Sequence, residues 1–89
     1  MYSNSVYKIP KYNVYLNPTK KIIKEDIAEE ALIRFLYGMY NRGITKVHPI
    51  KYSTTTPFDI QGLINEVEAE GIIIIYRISG SINRRSYYE

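Results

Sequence analysis

Eighty-nine residues, 45% of them hydrophobic and 24% charged, make one small domain, and a chain this short buries only about 60–65% of the surface its unfolded form exposes. That leaves little room for a deep catalytic cleft. A net charge of +3 is too mild to imply nucleic acid by itself, and the absence of cysteine excludes a disulfide framework and any thiolate metal site.

Residues 1–10 are polar and tyrosine-rich and end at Pro10, which predicts a flexible arm or an edge strand. This start lacks the apolar core of a signal peptide, so a cytoplasmic location is expected. Residues 12–16 alternate as a strand does. The run Asn17, Pro18, Thr19, Lys20 is a turn signal, after which residues 21–23 return as a short antiparallel partner.

A first helix is predicted from about residue 25 to 40. Ile27, Ala28, Ala31, Leu32, Phe35, Leu36 and Met39 form its apolar face, with Asp26, Glu30, Arg34 and Tyr37 opposite. Gly43 stops it, and Ile44 stands where a Schellman contact would close; no good cap precedes residue 25. Gly38 lies inside the helix and is explained by close approach of a backbone or a partner, or by nothing functional.

Residues 45–53 read as a second major strand with His48, Ile50 and Tyr52 on one face and Pro49 marking an edge or a bulge. A second helix follows, with Thr56 as cap, Pro57 in the first helical position and Asp59 completing a capping box. Ile60, Leu63, Ile64 and Val67 make its buried stripe, and Gly71 supplies the left-handed stop. Residues 72–75 are branched and apolar on both faces, which predicts a central strand. Ser79, Gly80 and Ser81 form a tight-turn signature, so residues 82–88 are expected to fold back as a last strand.

The order β(β)-α-β-α-β-β predicts a single α+β domain over residues 1–89. Its expected form is a two-layer sandwich with both amphipathic helices on one face of a four- to five-stranded mixed or antiparallel sheet. The longest apolar run, residues 72–76, is far short of the roughly 20 residues that span a bilayer, so no membrane partner is expected.

Charge alternates along the chain. Lys8, Lys11, Lys20, Lys21 and Lys24 stand without an acid in the first 24 residues, and Glu25, Asp26, Glu29 and Glu30 follow. The latter suit a helix N-terminus, where the dipole favours carboxylates. Glu66 and Glu70, four apart on the second helix with Glu68 between them, could hold a hard cation. Without histidine they read better as an acidic contact strip for a basic partner surface.

His48 is the single histidine, and neither Val47 nor Pro49 beside it offers an orienting carboxylate. A packed or surface histidine is the simpler reading than a general base. The strongest candidate contact surface is basic and aromatic. Arg84, Arg85, Tyr87 and Tyr88 at the C-terminal end would join Tyr76 and Arg77 on the neighbouring strand and Tyr7, Lys8, Lys11 and Tyr12 from the other end. Arginine forks and tyrosine rings suit protein hot spots and stacked bases alike.

These features predict no enzyme, no cofactor and no metal. They predict instead a small protein-interaction module that docks on a host protein or complex, for example as an inhibitor of a defence system. The tyrosine-, isoleucine-, lysine- and asparagine-rich composition suits an AT-rich coding source such as a virus or other mobile element, acting in the host cytoplasm. A nucleic-acid-binding sheet face is the alternative, and a small hydrolase or nuclease using His48 ranks last. A homodimer through an edge strand is a further expectation.

Overall fold

The computed structural model describes residues 10–54 and 57–79. They form a small α+β fold with the order β1 (Pro10–Leu16), β2 (Ile22–Ala28), α1 (Glu29–Asn41), a 3-10 helix (Pro49–Tyr52), α2 (Ile60–Ala69) and β3 (Ile73–Ser79). The three strands make one antiparallel sheet in the order β2-β1-β3. The expected arm before residue 10 and the expected strand over 82–88 lie outside the described residues.

The predicted turn joins β1 to β2. Lys20 adopts φ +64°, the Asn17–Pro18 peptide is cis, and the Leu16 amide donates to the Lys21 carbonyl at 2.7 Å. Asn17 also ties this turn to the start of β3, donating its amide to Ile72 O and its side chain to Gly71 O. One asparagine thus fixes both neighbours of the central strand.

β2 runs to Ala28, and α1 begins at Glu29 rather than near residue 25. Pairing with β1 claims residues 22–28, from Ile22 opposite Tyr15 to Ala28 opposite Lys11. The ladder is irregular where Asp26 takes φ +56° and its amide donates to the Asn13 side-chain oxygen at 2.8 Å. Ala28 caps α1 with no side-chain hydrogen bond, which accords with the missing cap signal, and Glu29 and Glu30 occupy the favourable first turn. The helix ends as expected. Gly43 has φ +75°, its amide donates to Tyr40 O, and the Ile44 amide donates to Met39 O at 2.9 Å, which together are the Schellman pattern.

The expected strand over residues 45–53 does not form. Residues 45–48 are irregular and Pro49–Tyr52 is a 3-10 helix, entered through His48, whose Nδ1 accepts from the Ile50 amide at 3.2 Å. Pro49 has no ladder donor and a fixed φ that suits a first helical position, so a local turn outcompetes sheet pairing. The cap of α2 is Asp59, whose carboxylate accepts from the Gly62 amide at 3.0 Å; Pro57 therefore precedes the helix, and Thr56 lies outside the described residues. Gly71 ends the helix segment with φ +79°. β3 pairs with β1, and β1 holds the central place that the sequence assigned to residues 72–75.

Register explains the layers. Tyr12, Val14 and Leu16 stand opposite Arg77, Ile75 and Ile73, so these six share one face. Tyr12, Val14, Ile73 and Ile75 pack with Leu32, Leu36 and Met39 of α1 and Leu63, Ile64 and Val67 of α2 in one buried cluster. Both helices therefore cover the same side of the sheet. Among the described residues, no helix is long and apolar enough to cross a membrane.

Candidate functional site

The alternate β1 and β3 side chains project to the side that neither helix covers. Lys11 stands opposite Ile78, Asn13 opposite Tyr76, and Tyr15 opposite Ile74. Tyr15 and Tyr76 meet edge to face, with centroids 5.4 Å apart and planes at 77°, and Tyr76 is 56% exposed. Asn13 sits below them, donating to the Tyr15 hydroxyl at 3.4 Å while holding the Asp26 amide. The patch is an edge-to-face aromatic pair that shares its face with isoleucines and one lysine.

Two residues assigned to this surface from sequence lie on the other side. Tyr12 is 1% exposed and belongs to the core beneath the helices. Burial, with Glu29 nearby, pushes its hydroxyl pKa above the usual tyrosine value, partly offset by Arg77. Arg77 shares Tyr12's face by register, although it remains exposed. Strand alternation is the reason: residues 76 and 77 cannot point the same way. Lys8, Arg84, Arg85, Tyr87 and Tyr88, and with them Tyr7, lie outside the described residues.

The carboxylates of α2 turn toward their own chain. Glu66 lies 3.2 Å from the Lys51 ammonium and accepts from the Tyr52 hydroxyl. The Tyr52 bond, then Lys51, holds the Glu66 carboxyl below its ordinary pKa. Burial first, and Glu66 second, push Tyr52 up to about 12. Glu70 accepts from the Thr45 hydroxyl with one oxygen and from the Lys46 amide at 3.0 Å with the other. Glu68 accepts from the Ile75 amide at 2.8 Å, so that amide turns away from β1 and is satisfied at the outer margin of β3. From sequence, Glu66 and Glu70, with Glu68 between them, read as an acidic contact strip for a basic partner surface. They are fasteners that hold the α1–α2 connection and β3 against α2.

His48 packs its ring on α1, with centroids 4.1 Å from Tyr40 and 5.6 Å from Tyr37. With its Nδ1 lone pair accepting from Ile50, it acts as a helix cap and an aromatic spacer. Among the described residues, no group of three or more histidine, cysteine or acidic side chains is placed to hold a metal ion.

A second feature was not legible in the sequence. Leu16, Ile23, Phe35, Met39, Ile44 and Ile72 line an apolar cleft of about 270 Å³ with Arg42 at its wall. Its lining comes from the ends of β1 and α1, the start of β2 and the start of β3. Its only advance signal was Ile44, read as a Schellman contact and found 43% exposed.

These features define a small α+β protein with an aromatic sheet face and a separate apolar cleft. No family model, curated protein or solved structure matches the chain.

Proposed function

We propose that this chain is a small non-enzymatic interaction module that docks through the helix-free side of its sheet on another protein. The observation that carries the reading is the edge-to-face Tyr15–Tyr76 pair, which shares its sheet face with Ile74, Ile78 and Lys11 by register. Tyrosine offers large contact area for little side-chain entropy, and a pair stiffened by its own packing loses even less on binding. Support for the non-enzymatic part comes from His48, Glu66, Glu68 and Glu70, each of which commits at least one polar atom to a structural hydrogen bond. The composition supports a virus or other mobile element as the source, and a host complex in the cytoplasm, such as a defence system, as the target. Protein is favoured over nucleic acid because Arg77 faces away from Tyr76, leaving Lys11 the one cation among described β1 and β3 side chains of that face.

The test compares wild type with Tyr76→Asp as immobilised baits in lysate of the host whose genome carries the gene, read by mass spectrometry. One partner retained by wild type and lost by Tyr76→Asp supports docking through this face. Identical captures by both baits, or an inert wild-type monomer by sizing, overturn it. A shift of labelled single-stranded DNA at low salt that fades between about 50 and 200 mM would replace it with the nucleic-acid reading.

A further inference from the structure

The cleft beside Arg42 lies on the helix-covered side and plays no part in the docking face above. We propose that it is a second binding site, for an acidic peptide segment that inserts one large apolar side chain and sets a carboxylate against Arg42. Three observations carry this choice.

The first is size and shape. At about 270 Å³ the cleft is smaller than the roughly 300–1,000 Å³ of sites that enclose a small molecule, yet it admits a leucine or phenylalanine side chain. The second is the surround. Leu16, Ile23 and Ile44, which line the cleft, are themselves 36%, 37% and 43% exposed, so the cleft is open along one side rather than enclosed. That suits a polypeptide laid over the cleft better than a ligand confined within it.

The third is charge. Arg42 lies back over α1, with an Nη 3.6 Å from where a Gly38 β-carbon would stand, and it has no ion pair among the described residues. Lys24 adds a second cation, its Nζ 5.8 Å from the centre of the Phe35 ring that lines the cleft. An apolar hollow flanked by a guanidinium and an ammonium complements an apolar side chain with carboxylates on either side of it.

The probe is a blocked peptide with one phenylalanine flanked by aspartates, added to full-length protein labelled at isoleucine and methionine methyl groups. Saturable shifts at Ile23, Met39 and Ile44, with Kd on the order of 1 mM, are expected. Replacing the phenylalanine by alanine should abolish them, and Arg42→Gln should weaken binding about three- to fivefold with the fold intact. Absence of saturable shifts overturns the proposal, as does equal binding of a lysine-flanked peptide. Shifts that track protein concentration alone would assign the cleft to a second copy of the chain. Shifts produced by anionic phosphatidylserine vesicles but not by the peptide would assign it to a lipid surface. Either result overturns the peptide assignment.

Discussion

At Gly38 an added methyl group would meet the Arg42 guanidinium at 3.6 Å, an ordinary contact, whereas at Gly62 it would collide with the Asp59 carboxylate. The two helical glycines therefore have opposite reasons to be there. Gly38→Ala should raise stability by about 1 kcal/mol, the usual cost of glycine inside a helix. Gly62→Ala gains the same propensity but displaces the side chain that caps α2, and loss of such a cap costs about 0.5–2 kcal/mol. We expect Gly62→Ala to fall below wild type in urea melts while Gly38→Ala rises above it. A gain at both positions would mean that Asp59 does not hold the Gly62 amide in solution.

Between α1 and α2 the chain is fastened by side chains rather than by sheet pairing, and this makes its attachment sensitive to pH at both ends of the scale. Glu66 has a lowered pKa in the fold, so its contribution is present above the unfolded carboxylate value and disappears as pH falls through the folded one. Tyr52 is raised from 10.0 to about 12, so its contribution is full below about pH 10 and disappears as pH climbs toward 12. Urea midpoints should accordingly form a plateau between these limits. Tyr52→Phe should flatten the alkaline limb and Glu66→Gln the acidic one; unchanged limbs in both variants would show that the contact is not made.

The same segment shows where sequence reading fails. The stripe of Leu63, Ile64 and Val67, the Gly43 and Gly71 stops, and the turn at Asn17 were legible because each depends on a few adjacent residues. Residues 45–53 read as a strand from sequence, but Pro49 turns them into a 3-10 helix, and the contacts that then fasten them, Lys46 to Glu70 and Lys51 to Glu66, span 24 and 15 positions. Residues 25–28 carry a helical pattern and are drawn into β2 by the bonds of β1. Of the site, Tyr76 and Lys11 were legible, while the side that Tyr12 and Arg77 occupy depended on which face the helices chose.

At the scale of the molecule, the helices divide the described sheet into a side packed in the core and a side they leave uncovered. Leu36 is fully buried, and Leu36→Ala should cost about 2–5 kcal/mol out of a total of about 5–15 kcal/mol. Tyr76→Ala should cost no more than about 1 kcal/mol, since it removes an exposed ring and one edge-to-face partner. Thermal melts of the pair check this; a large loss for Tyr76→Ala would make the aromatic face a structural element and remove it as a docking surface. The anchored Ile75 amide has a wider consequence. With Glu68 seated on that amide at one border, and with Asp26 kinking a stretch of consecutive charged residues at the other, neither flank of the sheet formed by the described residues offers a clean row of hydrogen-bonding groups to a foreign ribbon. Crowded solutions of this protein should stay clear of fibrils, and any self-assembly should proceed by stacking broad sides together rather than by zipping one border onto the next.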